Sequence, residues 1–206
     1  MHILITAGPT REPIDAVRYL SNRSSGRMGI AIAEAAIQAG HEVTLLLGPV
    51  GDVRLHEEIL LLRFETCDEL QKLLLEHWPA HDLLIMAAAV ADYRPAQWHD
   101  GKIERGKDIM LHLSPTPDLV KQMAQNKAAH QHVVAFALES ADVLEERAAE
   151  KLKRKGVDAI VANPLATMDS PDVSATWLTA EGLRLDLDHM DKSAFARRLV
   201  ALATAL

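Results

Sequence analysis

The feature that most constrains this chain is an alternation of two periodicities. Short apolar or β-branched runs at His2–Thr6, Glu42–Leu47, Leu60–Phe64, Leu83–Ala88, His132–Phe136 and Asp158–Ala162 read as parallel strands buried on both faces. Helical patterns lie between them. Gly26–Ala39 places Met28, Ile30, Ile32, Ala36 and Ile37 at helical spacing and stops at Gly40, a candidate C-cap. Asp68–His77 repeats leucine at 70, 73 and 74, and Pro117–Asn126 and Val143–Lys155 supply two further helices. Strand, helix, strand in succession specifies βαβ units with right-handed crossovers. The expected fold is α/β, a Rossmann-like, doubly wound, mainly parallel sheet with helices on both faces.

The last fifty or so residues break the alternation. Val173–Leu178 and Leu183–Leu187 flank Thr179-Ala-Glu-Gly182, the pattern of an antiparallel hairpin with glycine in its turn, and a closing helix over Lys192–Leu206 follows. No repeat, low-complexity stretch or Pro/Ser-rich linker interrupts the chain, so residues 1–206 are expected to form one domain. With 49% hydrophobic residues such a domain can build a sizeable core. Cys67 is the only cysteine, which excludes an internal disulfide and a Cys-based zinc site and makes a reduced, cytoplasmic compartment the default. The longest apolar run, Leu83 to Ala91, is nine residues, about half of a membrane span. The N-terminal run lacks a basic flank, so no signal peptide is expected. A net charge of −7 argues against nucleic-acid binding.

Open parallel sheets bind ligands beyond the carboxyl ends of their strands. The loops placed there are rich: Ala7-Gly-Pro-Thr-Arg-Glu-Pro-Ile-Asp15 after the first strand and Ala89-Val-Ala-Asp-Tyr-Arg-Pro95 after the fourth. Ser21-Asn-Arg-Ser-Ser-Gly-Arg-Met-Gly29 stands before a helix, where backbone N–H groups and the helix dipole favour an anion. Ser24 or Ser25 as a plain N-cap is the competing explanation. Arg11, Arg18, Arg23 and Arg27 against Glu12 and Asp15 give this stretch a local excess of positive charge in an acidic chain, which favours an anionic ligand. Candidates for the phosphate and substrate loop are Gly8, Thr10, Arg11, Ser24, Ser25 and Gly26.

Two more basic segments follow. Lys102-Ile-Glu-Arg-Gly-Lys107 sits between the fourth strand's loop and the apolar run Ile109–Leu113; such a run is often a solvated face, but lysine at a carboxyl edge suits phosphate. In Val143–Lys155, Arg147, Lys151 and Lys155 form one stripe beside Leu144, Ala148 and Leu152, an order that also complements the helix dipole. Asn22, Asp92, Asp118 and Glu139 are interleaved with these cations. Phe136, at a strand end, belongs to the core or contacts a base. The ten histidines are scattered and read as structural or surface positions, and Cys67 as a buried thiol. No G-x-G-x-x-G follows the first strand, no carboxylate ends the second and no Gly-Lys-Ser/Thr occurs, so NAD(P) and P-loop chemistry are disfavoured.

Ile5-Thr-Ala-Gly-Pro-Thr-Arg-Glu-Pro-Ile-Asp15 followed by Val17-Arg-Tyr-Leu-Ser-Asn-Arg-Ser-Ser-Gly-Arg-Met-Gly29 closely resembles the start of the phosphopantothenoylcysteine synthetase family, the ligase domain of bifunctional coenzyme A flavoproteins. Ala87-Ala-Ala-Val-Ala-Asp-Tyr-Arg94, Lys102, Thr116-Pro-Asp-Leu119, Val134-Ala-Phe-Ala-Leu-Glu139 and Ala162-Asn163 follow in family order. With no decarboxylase domain beside it, the chain resembles a free-standing synthetase.

The resemblance implies ligation of 4′-phosphopantothenate to cysteine through an acyl-nucleotidylate, with release of pyrophosphate. It implies Mg²⁺ and a nucleoside triphosphate, CTP being favoured over ATP, and it assigns no metal ligands. Asn22 matches the residue that holds the acyl-nucleotidylate, and Lys102 the catalytic lysine that contacts the triphosphate. Met86, Ala87, Ala88, Asp92, Thr116, Pro117, Asp118, Leu119, Phe136, Lys151 and Lys155 match nucleotide-contacting positions. A homodimer in the cytoplasm is implied, with no nucleic-acid or membrane partner. The sequence departs from the family at Glu104-Arg105, at Leu138 and over 164–174. The alternative expectation is a catalytically weakened nucleotide-binding subunit that scaffolds or regulates a separate phosphopantothenoylcysteine decarboxylase.

Overall fold

The computed structural model describes residues 1–106, 108–165 and 172–206. Strand β1 (His2–Ala7) leads into a two-stranded ribbon, β2 (Arg11–Pro13) and β3 (Tyr19–Ser21), and then helix α1 (Arg27–Gln38). Next come β4 (Glu42–Leu47), β5 (Leu60–Arg63), α2 (Cys67–His77) and β6 (Leu83–Met86). A second ribbon, β7 (Tyr93–Pro95) and β8 (Leu113–Pro115), precedes α3 (Leu119–Gln125), β9 (His132–Glu139), α4 (Leu144–Lys155) and β10 (Ala159–Pro164). The hairpin β11 (Asp172–Thr179) and β12 (Arg184–Asp191) and helix α5 (Lys192–Ala203) follow.

The central sheet runs β12-β11-β10-β9-β6-β1-β4-β5. The six strands from β10 to β5 are parallel, and the hairpin extends the sheet antiparallel from β10. Chain order reverses between β1 and β6, so a crevice opens at their carboxyl ends. This is the expected α/β architecture, hairpin and closing helix included.

Side-chain alternation divides the core. Ile3, Ile5, Leu45, Val134 and Trp177 face α1 and α5, where Ile32, Ala36, Phe195 and Leu199 meet them. Leu4, Leu46, Leu84 and Ile160 face α2, α3 and α4, against Leu70, Leu74, Met123 and Ala148. Each fully buried leucine or isoleucine contributes about 1.5–3 kcal/mol. An apolar stripe and an end signal coincide in α2 and α4: Thr66 and Glu69 close a capping box on α2, and Gly156 ends α4 in the left-handed region.

Most element ends differ from the sequence expectation by one or two residues, but β9 runs three residues further, to Glu139, β12 four further, to Asp191, and α5 stops three earlier, at Ala203. Strand β6 stops at Met86, after which the Thr6 hydroxyl takes the Ala88 amide. Helix α3 starts at Leu119 because Asp118 is its N-cap, accepting the Lys121 amide. The two ribbons are new. Three-residue strands carry no readable alternation, and Pro13, Pro95 and Pro115 argue against strands in sequence terms. The apolar run Ile109–Leu113 lies outside the core, with Met110 85% exposed.

Candidate functional site

A cavity of about 890 Å³ opens at the carboxyl ends of β6, β9 and β10, bounded by the 22–29 loop and by α3 and α4. Its polar floor is built from the first loop. Thr10 is fully buried: its hydroxyl accepts the Ala91 amide and its carbonyl accepts the Ser21 hydroxyl. The Asn22 side chain donates through Nδ2 to the Ala89 carbonyl at 3.0 Å, which fixes the amide at the cavity wall.

Beside Asn22, α1 begins without a side-chain cap. Gly26 takes the cap position at φ 71°, and Ser24 bonds instead to the Gly26 amide. A Cβ at Gly26 would lie 3.0 Å from Val50 and 3.2 Å from the Gly8 nitrogen, so the tight approach and the positive φ both call for glycine. The next contact requires glycine too: at Gly29 a Cβ would come within 2.4 Å of the Ala7 Cβ. Neither serine caps the helix, so the first-turn amides of α1 face the cavity without partners among the described residues. That geometry favours an anion over plain capping.

The opposite wall carries the cations of α4. Lys151 pairs with Glu139 at 2.5 Å and Lys155 with Asp118 at 3.1 Å, with their side chains 28% and 20% exposed. Both ammonium groups are therefore held in place at the cavity before any ligand arrives. Thr116 is locked by its hydroxyl donating to the Ala91 carbonyl. Six cationic side chains line the cavity against two carboxylates among the described residues, in a chain of net charge −7.

The structure thus gathers Asn22, Ser24, Ser25, Gly26, Met86, Ala87, Ala88, Asp92, Thr116, Pro117, Asp118, Leu119, Phe136, Lys151 and Lys155 around one cavity. Four expected site residues stand elsewhere. Gly8 and Thr10 support the floor from behind. Arg11 stacks on Tyr19, 4.5 Å from the ring centroid, and lines a smaller cavity of about 410 Å³ near Arg63 and Glu69. Lys102 is exposed on the 96–112 excursion and is not among the lining residues. Lys107 and residues 166–171 of the divergent loop lie outside the described residues.

Arg154, Asn163 and Lys192 also line the cavity; none was assigned to the site from sequence, although Asn163 stood in the Ala162-Asn163 motif. Arg154 was legible as the neighbour of Lys155 on a basic helix. Asn163 was legible as a polar residue ending the apolar strand Ala159–Ala162. Its Oδ1 is buried without a hydrogen-bond partner among the described residues, and it shares a sheet face with Val161 and Phe136. A buried unpaired acceptor at a cavity is a place where a ligand donor is expected.

Away from the cavity, Cys67 opens α2 fully buried, and burial, then the Glu12 and Asp68 carboxylates, push its thiol up to about 11. At pH 7 it is an inert thiol, as the sequence implied. No cluster of three or more His, Cys, Asp or Glu placed to hold a metal occurs among the described residues. No helix among them is long and apolar enough to cross a membrane.

The family model for the DNA/pantothenate metabolism flavoprotein C-terminal domain matches residues 1–206. The chain is 36% identical over 218 residues to the coenzyme A biosynthesis bifunctional protein CoaBC of Mycobacterium tuberculosis, covering 99% of this chain and 52% of that protein. It is 44% identical over 164 residues to a cysteine/cysteine sulfinic acid decarboxylase of an unknown prokaryotic organism, covering 79% of this chain and 45% of that protein. The chain spans about half the length of these relatives. Among solved structures, the C-terminal domain of CoaBC superposes with a TM-score of 0.84 at 34% identity, over 98% of this chain and 92% of that one. A Cab2 mutant in complex with phosphopantothenate-cysteine shares the fold, with a TM-score of 0.82 at 20% identity over 99% and 85%.

Proposed function

The chain belongs to the family of DNA/pantothenate metabolism flavoprotein C-terminal domains, and from that premise we propose that it is a ligase of coenzyme A biosynthesis joining 4′-phosphopantothenate to cysteine. The observation that carries this is one cavity uniting an uncapped helix N-terminus, the Asn22 amide and a rim of cations. A carboxylate is a poor electrophile until its oxygen becomes part of a better leaving group. In the first step a carboxylate oxygen of 4′-phosphopantothenate attacks the α-phosphorus of a nucleoside triphosphate, CTP in preference to ATP, and pyrophosphate leaves. In the second, the cysteine amine attacks the acyl carbon, gives up a proton and displaces the nucleoside monophosphate.

Each step asks for groups that the cavity walls hold. The α1 amides and the Lys151 and Lys155 ammonium groups suit phosphate oxygens, already oriented by Glu139 and Asp118. Asn22 both donates and accepts, which suits an acyl phosphate anhydride. Lys102 is assigned to the triphosphate, supplied from the 96–112 excursion as the substrates bind. Phe136, partly buried on the cavity wall, offers a ring face to the base. Asp92 and Asp118 offer hard oxygen ligands and suit Mg²⁺, which is commonly held by one or two carboxylates together with substrate phosphates. Bound there, the ion would neutralise triphosphate charge.

A homodimer in the cytoplasm completes the proposal. The excursion exposes Ile109, Met110 and Trp98 by 62%, 85% and 56%, apolar surface that a second copy would cover. A second reading, a nucleotide-binding partner of a decarboxylase, is favoured by the name of the 44% identical relative. Pyrophosphate release measured with CTP and with ATP, each with 4′-phosphopantothenate and cysteine, separates the two. Release that requires phosphopantothenate supports the ligase. No release with either nucleotide supports the second reading.

A further inference from the structure

The two ribbons are rooted at the cavity and joined at their far ends. β3 runs from the 14–18 turn to Asn22, and β7 and β8 run from Asp92 and Thr116 into the excursion. Where the ribbons meet, the His99 amide donates to the Ile14 carbonyl at 3.2 Å, and one buried carboxylate links both sides of the junction. The Asp15 side chain is fully buried. Its Oδ1 accepts the Val17 and Arg18 amides, both at 2.8 Å. Its Oδ2 accepts the Ile103 amide at 3.0 Å and pairs with the Arg18 guanidinium at 2.9 Å. Arg18 in turn donates to the Ile103 carbonyl at 2.5 Å, and the Ala16 amide donates to the Gly101 carbonyl at 3.1 Å.

The two oxygens therefore have separate duties. Oδ1 closes the local turn, and Oδ2 reaches across 88 residues to the excursion. Gly101 and Ile103 are pinned on either side of Lys102, whose ammonium has no partner among the described residues. Burial works against the Asp15 charge, but the Val17, Ile103 and Arg18 amides and the Arg18 guanidinium outweigh it and hold the carboxyl below its ordinary value. Asp15 is thus an anion at neutral pH, and its second oxygen is an acceptor that an amide could not replace.

We propose that Asp15 is the positioning residue for Lys102, fixing through Oδ2 the segment from which the lysine is delivered to the triphosphate. This rests on the role given to Lys102 above. Holding the backbone on both sides restricts where the ammonium can travel, so its approach carries less entropic cost during reaction. Asp15 touches no substrate in this scheme and acts only through the segment it holds.

Asp15→Asn separates the two duties, because the amide keeps an acceptor for the turn but presents N–H groups where Oδ2 stood. Hydrogen exchange is expected to quicken at Ile103 and to stay unchanged at Val17. The kcat for pyrophosphate release is expected to fall by roughly 10–100-fold, the scale of a small misplacement, with KM for the triphosphate within about twofold. In a Lys102→Gln background the same substitution should cost nothing further. Unchanged exchange at Ile103, or a full additional loss in that background, overturns the proposal. A Lys102→Gln variant that is itself fully active would instead remove the role of the lysine, and the positioning role with it. Should the wild-type chain release no pyrophosphate, the ligase reading fails, and the exchange of Ile103 alone decides whether Asp15 holds the segment.

Discussion

The two edges of the sheet differ in how they spend their polar groups. At the amino edge the groups are paired among themselves. Gln131 donates to the Trp78 and His81 carbonyls and accepts the Ala128 amide. Asp158 accepts the Val133 amide and pairs with Lys127, and Asp82 accepts the His2 amide. Even His132 Nδ1, which lacks a hydrogen bond, lies 3.7 Å from the Asp158 carboxylate. At the carboxyl edge the first turn of α1, Asn163 Oδ1 and the Asp92 carboxylate have no partners among the described residues. One edge is spent on stability and the other is left for a ligand, the division expected of open parallel sheets.

Substitutions that strike the two edges differently sharpen this contrast. The largest effect is expected at Lys102: Lys102→Gln should lower pyrophosphate release by about 10²–10³-fold, the scale for losing one group that stabilises transition-state charge. The melting temperature should stay within a degree or two of wild type, since the side chain is exposed. Steady-state release alongside thermal unfolding checks both halves.

Lys151→Ala and Lys155→Ala should each weaken triphosphate binding by roughly 1–3 kcal/mol, as a charge-assisted hydrogen bond is lost. Calorimetric titration that finds wild-type affinity in both would return these lysines to simple helix and ion-pair duties. At the amino edge the pattern reverses. Gln131→Ala takes the donor from the buried His81 carbonyl and the acceptor from the Ala128 amide, and should cost about 1–3 kcal/mol of stability in urea unfolding, with nucleotide affinity unchanged.

The smallest effect is a pH dependence. His81 is buried, with Nδ1 donating to the His77 carbonyl and Nε2 accepting from the Thr44 hydroxyl, so the neutral ring is satisfied. Burial, more than any other cause, holds its pKa below 6.5. The unfolded chain therefore takes up the proton first, and stability present above pH 6.5 is lost as pH falls towards the lower folded value. Unfolding midpoints measured from pH 7 down to 5 should decline, and less so in His81→Gln.

Much of the fold was legible, because parallel strands buried on both faces leave long apolar runs and their helices leave leucine stripes. The ribbons were not, since three-residue strands with prolines have no period to detect. The cavity was largely legible too: Phe136 lies on a core strand and Lys151 and Lys155 on one helix face, where periodicity fixes direction, while Asn22 was marked by the family resemblance of its motif. Lys102 illustrates the limit. Its neighbours in sequence say nothing about Asp15, 87 positions earlier, and only the fold brings that carboxylate to the Ile103 amide. Asn163 stood one residue past the expected strand, and its significance lies in an oxygen unpaired among the described residues, which sequence cannot display.

The central claim is that the carboxyl-edge cavity forms an acyl-nucleotidylate. Rapid-quench mass spectrometry with 4′-phosphopantothenate, Mg²⁺ and CTP or ATP, and with cysteine withheld, reads it directly. The account predicts a mass for the phosphopantothenoyl nucleotidylate that accumulates with pyrophosphate and disappears when cysteine is added. Absence of that species with both nucleotides would contradict it.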